Sequence, residues 1–285
     1  MRIAFIHSHK PRERLLGSAF VDGARVHGDE AWLVEKIEGM PLLVEGADVV
    51  CLVGVKSREL IQAHWNAGIH TIYFDKGYCR GKGAGPVGWE YWRVAVDAHH
   101  PTRYLMRESR SPARWEALGV DVLPWRPSGR HILIAGSSAK YHDFYGLSGP
   151  AEYYTKLTKR LNKLTGRPIV YRPKPSYREA EPILGTRFST SAESIADVLR
   201  DCHALVTHGS NAVFEALIAG VPSIVLGEAV TKPISSTDIA EIEAPVLASD
   251  QARMQLLANL AWHQWTMPEL ASGEAWGVTR PFIYG

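Results

Sequence analysis

The sequence predicts an α/β protein made of two successive open sheets of largely parallel strands. Three observations carry that expectation. Short, continuous apolar runs recur at strand length, as in strands covered on both faces. Amphipathic segments with helix start and stop signals lie between them, and the alternation begins afresh after Arg130. At 285 residues, with 46% hydrophobic and 22% charged side chains, the chain is long enough for two cores.

Taken in order, RIAFIH (2–7) reads as the first strand, and SAFVDGARV lies in a helix that ends at the turn His27-Gly28-Asp29 before a short strand. ADVVCLVGV (47–55) and HTIYFD (70–75) are further buried strands, joined by SRELIQAHWNAG, a capped helix ending in glycine. VDVLPW (120–125) reads as the last strand of the first half. PWRPSG (124–129), where Pro and Gly cluster, marks the junction. In the second half HILIAG is a strand, PAEYYTKLTKRLNKLTG a helix opened by Pro and closed by Gly, and PIVYRPKPS a strand. SAESIADVLRDC, HALVTHG, SNAVFEALIAG and PSIVLG continue the alternation. The tail is helical and rich in Trp (Trp262, Trp265, Trp276), is read as having no strand, and is expected to brace both domains. The expected boundaries are an N-terminal domain over 1–127, a C-terminal domain over 128–268, and a segment 269–285 returning to the first domain.

Composition excludes several classes. The formal charge of +2 does not by itself imply a nucleic-acid binder. Three cysteines (Cys51, Cys79, Cys202) without a C-x-x-C pair offer neither a disulfide framework nor a zinc knuckle. No stretch approaches the roughly 18 apolar residues of a membrane span. A reducing cytoplasm is the expected location, and no metal site is predicted. His99-His100 does not change that, because adjacent histidines cannot easily share one ion.

The chemistry concentrates in THGSNAVFEAL (207–217), a strand end, a polar turn and a helix carrying one glutamate. In open α/β sheets ligands bind beyond the carboxyl ends of the strands, where helix N-termini favour phosphate. Gly209 allows close backbone approach, Ser210 can cap the helix or offer its hydroxyl, and Asn211 adds an amide donor. Glu215 follows a turn and a half later, within reach of a ribose diol. A plain capped helix with a solvated Glu is the competing reading.

HGSNAVFEALIAGVPSIV resembles the donor-binding segment of GT-B glycosyltransferases and of their relatives in capsule synthesis and among UDP-N-acetylglucosamine epimerases. RPKP (172–175) is similar to the basic-Pro turn that helps hold phosphates in such enzymes, and GARVHGDEAWLV to the "GHEV" turn of their acceptor domain. The resemblance implies two Rossmann-like domains, a nucleotide sugar as co-substrate and no further cofactor. It implies diphosphate contacts at Ser210 and Asn211, ribose contact at Glu215, and phosphate contact at Arg172 or Lys174. His208 shapes the turn beside Gly209, and Gly136-Ser137, after the strand HILIA, is a second small-residue turn for phosphate or sugar. The chain departs from the pattern in being short for this fold and in lacking the E-x7-E pair of retaining enzymes, since Thr207 stands eight before Glu215.

Transfer to a hydroxyl needs a base. His7, which ends the first strand, and Asp75, which ends HTIYF, are the candidates. The run from Lys76 through Tyr78, Arg80 and Lys82 to Trp92 interleaves cations with aromatics, the types that pair phosphates with stacking surfaces. Lys76, Tyr78, Arg80 and Trp92 are therefore the acceptor candidates. Phage-encoded GT-B proteins that decorate modified DNA bases are similar in size, which places a hydroxymethylated DNA base among the acceptors. The rival readings are a nucleotide-sugar 2-epimerase or hydrolase of the same architecture and a non-catalytic nucleotide-binding module.

Overall fold

The computed structural model describes residues 1–54, 58–79 and 91–284, and divides into two compact units. Unit 1 comprises Met1–Pro101, Ala113–Leu118 and Ala258–Gly285; unit 2 comprises Thr102–Pro112 and Gly119–Leu257.

Unit 1 opens with β1 (Arg2–His7), α1 (Pro11–Val26), β2 (Glu30–Glu35), β3 (Val49–Val53), α2 (Arg58–Asn66), β4 (His70–Lys76), β5 (Trp92–Val96) and α3 (Ala113–Ala117). The apolar runs behave as expected: β3 is buried along its whole length, and only the first residue of β1 is exposed. Phe5, Phe20 and Phe74 form a mutual cluster beneath α1, with ring centroids 5.0–6.1 Å apart.

In unit 2 the chain forms β6 (His131–Ala135), α4 (Ala139–Phe144), α5 (Pro150–Leu161), β7 (Ile169–Arg172), β8 (Arg187–Phe188), α6 (Ile195–Leu199), β9 (Cys202–Thr207), α7 (Ala212–Ile218) and β10 (Ser223–Val225). Ile132, Ile134, Tyr154, Leu161, Tyr171 and Val206 are in its core. A helix α8 (Asp250–Ala261) carries the chain out of unit 2, and β11 (Gln264–Trp265), α9 (Met267–Ala271) and α10 (Glu274–Thr279) complete unit 1.

The unit 1 sheet has the order β11-β5-β4-β3-β1-β2, and that of unit 2 the order β10-β9-β6-β7-β8. Every pairing in unit 2 is parallel. In unit 1, β5 and β11 pair antiparallel. Each sheet therefore has a point where the winding reverses, between β1 and β3 in unit 1 and between β6 and β9 in unit 2. Those points are where doubly wound sheets hold ligands.

Three expectations are corrected. VDVLPW is not a strand: Leu123 is 53% exposed, and its N–H donates to the Ile218 carbonyl rather than to a sheet. The strand beside β4 is instead WRVAV, whose mixture of Arg and Trp hid a fully buried run. The tail holds a strand after all, since Gln264–Trp265 extends the sheet beside Trp92 and Arg93. The tail is also pinned within unit 1: the Trp276 indole donates to buried Asp29 at 2.7 Å, and His27 Nε2 meets the Gly273 carbonyl at 2.8 Å.

Candidate functional site

In unit 2 Gly136-Ser137 and His208-Gly209-Ser210 follow the neighbouring parallel strands β6 and β9 at the switch point. One hydroxyl ties them together. Thr207 Oγ1, on a side chain with no exposed surface, donates to the Ala135 carbonyl at the end of β6 (2.7 Å). It accepts from the N–H groups of Gly209 (3.2 Å) and Ser210 (3.0 Å). A hydroxyl has one proton and two lone pairs, so all three are used.

This corrects the expectation that the amides here are open to phosphate. The helix begins at Ala212 rather than at Ser210, and the Ala212 N–H points back to Ser210 Oγ at 3.3 Å. What the loop offers a ligand is side-chain chemistry, including the Ser210 hydroxyl proton and the exposed Asn211 amide. Gly209 is required by close packing: a Cβ there would lie 1.7 Å from the Tyr141 hydroxyl and 2.7 Å from the Glu228 carbonyl.

Histidines and tyrosines line the same edge. Burial pushes the Tyr154 hydroxyl up, so it keeps its proton. That hydroxyl accepts from Ser137 N–H (2.7 Å) and donates to His142 Nε2 (3.2 Å), because His142 Nδ1 donates to the Ser148 carbonyl (2.7 Å). Burial, then the nearby His142 and Lys232, hold His208 down to about 4. His208 Nδ1 and the Tyr153 hydroxyl share a hydrogen bond of 3.0 Å. Glu215 is half-buried on α7, and Lys174 stands exposed after β7.

Arg172 differs from its expected role as a phosphate ligand. Its guanidinium donates to Ser189 Oγ (2.7 Å), the Thr190 carbonyl (2.7 Å) and the Glu193 carbonyl (2.8 Å). It clamps the segment after β8, and Lys174 remains as the basic-Pro candidate.

In unit 1, His7 ends β1 at the switch point, with Nδ1 donating to the Ser8 carbonyl at 2.8 Å. That bond leaves the lone pair of the neutral ring on Nε2. Ser8 is held in turn by Glu13, whose carboxylate accepts from its N–H (3.0 Å) and hydroxyl (2.7 Å). Asp75, the other candidate base, is committed to buried Arg93 at 3.0 Å and accepts the Lys76 N–H at 2.8 Å.

The acceptor candidates are largely core. Tyr78 and Trp92 are buried, the first beside Arg93 and the second under the Arg12 guanidinium at 4.8 Å. Burial lifts Tyr78 to about 12, and its hydroxyl donates at 2.8 Å to His100, which burial and then Arg93 keep neutral. Neither ring offers a face for stacking, which corrects the expectation that they form an acceptor's stacking surface. Lys76 is half-buried at the end of β4, opposite Trp92, and Arg80 and Lys82 lie outside the described residues. Among the described residues no group of three or more His, Cys, Asp and Glu side chains is placed to hold a metal ion.

Sequence reasoning passed over Thr207, Glu13 and the Tyr154–His142 pair. Thr207 had a readable signal, a hydroxyl at the last position of a buried strand directly before a Gly-Ser turn. Glu13 had none, because an acidic residue in a first helical turn is common on dipole grounds alone.

No protein family matches the chain, and no curated protein does. Solved structures do. The chain is similar to the β-Kdo 2,7 transferase of KpsC from Thermosulfurimonas dismutans, with a TM-score of 0.57 at 14% identity, covering 93% of this chain and 92% of that one. It is also similar to the β-Kdo 2,4 transferase of the same protein, with a TM-score of 0.54 at 13% identity over the same shares of the two chains. At such identities the likeness speaks for the fold, which is that of two Rossmann-like α/β units.

Proposed function

We propose that the protein is a glycosyltransferase that binds a nucleotide sugar at the carboxyl edge of unit 2 and transfers its sugar to a hydroxyl acceptor. The observation that carries this reading is the pair of loops at the unit 2 switch point, where Ser137, His208, Ser210 and Asn211 gather small and polar donors. Lys174 supplies a positive charge for phosphate, and Glu215 a carboxylate for the ribose. Neutral His208 shapes the turn that carries Ser210 and Asn211.

His7 is the base in this proposal. Its Nε2 lone pair is the one left to take the proton of an acceptor hydroxyl. The Ser8 carbonyl holds the ring, and Glu13 holds Ser8. Asp75 is the weaker candidate because its carboxylate serves Arg93. The reaction is proposed to need no metal. The two structures described above are β-Kdo transferases, so a Kdo-bearing nucleotide belongs among the donors tried. A carbohydrate hydroxyl is the acceptor class favoured. A DNA base has no observation in its support, since the rings meant to hold it are buried.

The test is a panel of nucleotide sugars, with released nucleotide as the readout. The wild type should release nucleotide from one donor, faster with acceptor present. His7→Ala should bind that nucleotide with unchanged affinity in calorimetry and lose at least ~100-fold in turnover, the range typical of a general base. Conversion of the nucleotide sugar to an epimer without acceptor would establish the isomerase instead, and binding without any turnover the non-catalytic module.

A further inference from the structure

We infer that Thr207 is the positioning residue of the nucleotide site, one buried hydroxyl that sets the conformation of loop 208–210 and its distance from loop 136–138. The inference rests on the donor-site reading of unit 2. Its basis is a count of bonds at one oxygen. Thr207 Oγ1 gives its proton to the Ala135 carbonyl (2.7 Å) and accepts the N–H groups of Gly209 (3.2 Å) and Ser210 (3.0 Å). One atom thereby fastens the end of β6 to the turn after β9, across the switch point.

Two physical consequences follow. The first is selectivity of contact: because both turn amides are spent on Thr207, anions must be met by side chains, and the Ser210 hydroxyl and Asn211 amide are held where the turn places them. The second is rigidity. Threonine is branched at Cβ, so its rotamer is restricted and the hydroxyl is aimed before any ligand arrives. Around it the turn has no slack, because Tyr141 and the Glu228 carbonyl press on Gly209 from one side and Gly227 abuts the His208 ring. A valine fills the same volume with no hydroxyl, leaving the Ala135 carbonyl and two N–H groups without their partner. The turn must then rotate those amides toward solvent and carry Ser210 with it.

The experiment compares wild type, Thr207→Val and Thr207→Ser by calorimetry with the mono- and diphosphates of uridine, cytidine, guanosine and thymidine, alongside amide exchange of Gly209 and Ser210 in the ligand-free protein. Thr207→Val should weaken binding of the preferred nucleotide about tenfold or more, equivalent to ~1.4 kcal/mol. It should also speed exchange at Gly209 and Ser210. Thr207→Ser, which keeps the hydroxyl, should stay within about threefold of wild type, a margin well under one decade of affinity. Wild-type affinity in a folded Thr207→Val protein overturns the inference. So does tenfold weaker binding by a folded Thr207→Ser protein, which decides the matter even where the valine variant does not fold. Failure of the wild type to bind any nucleotide refutes the donor-site reading itself, and unchanged amide exchange in Thr207→Val refutes the latch independently of any ligand.

Discussion

Burial, with His142 and Lys232 nearby, takes the His208 imidazole from its ordinary 6.5 to about 4. The unfolded chain binds that proton near 6.5 and the folded chain only near 4, so between those values protons favour unfolding. The stability supplied by neutral His208 is complete above 6.5 and falls as the pH drops toward 4. His142 and His100, also held below their ordinary value by burial, act with the same sign. His208→Gln should therefore lose less stability than wild type between pH 7 and pH 5 in urea melts, and an identical loss would mean that His208 is solvated in the folded state. Arg172 shows where residue-level reading of the sequence stops. An arginine before Pro-Lys-Pro looks the same whether its guanidinium faces a phosphate or two carbonyls and a serine, and only the path of residues 189–193 decides. Arg172→Ala should cost unit 2 ~2–4 kcal/mol in chemical denaturation, because three charge-assisted bonds disappear. The cost should persist at high salt, unlike that of a solvent-facing phosphate contact.

Among the elements, α1 and the loop joining α9 to α10 meet through glycine. A Cβ on Gly23 would lie 1.9 Å from the Leu270 carbonyl and 2.9 Å from the Gly273 nitrogen, both closer than contact permits. Gly23→Ala should thus cost ~2 kcal/mol or more by overpacking. Limited proteolysis, with cleavage in residues 266–280 before global unfolding, would register it. Unchanged resistance would mean that α1 shifts to make room. Buried parallel strands were legible because continuous apolar runs such as VVCLV and HALVT have few alternatives. The strand β5 was not, because Arg93 interrupts its apolar pattern. Its charge is met by Asp75 and by the rings of Tyr73 and Tyr78, partners invisible to any local window. The opposite error, at VDVLPW, came from an apolar run whose backbone bonds go to the Ile218 carbonyl and the Arg253 side chain. Periodicity reports burial, and it does not report which backbone a strand will pair with.

For the whole molecule, a nucleotide bound as proposed should protect the amides of 136–138 and 207–211 in unit 2 from exchange while leaving those of β2 and α2 in unit 1 unchanged. Protection spread evenly over both units would contradict a site built on unit 2 alone. The discontinuity of unit 1 bears on how the molecule is made. Its sheet closes on β11, and α1 is covered by α9 and α10, yet these arrive only with residues 258–285. A ribosome delivers residues in order, at about 5–20 per second. The polypeptide 1–101 must therefore wait, with the β5 edge open and the α1 face bare, while all of 119–257 is synthesised and can settle into its own sheet. Pulse proteolysis of stalled nascent chains should find the later-made unit 2 resistant first. The earlier-made unit 1 should become resistant only when Trp276 has emerged, so that the order of folding inverts the order of translation.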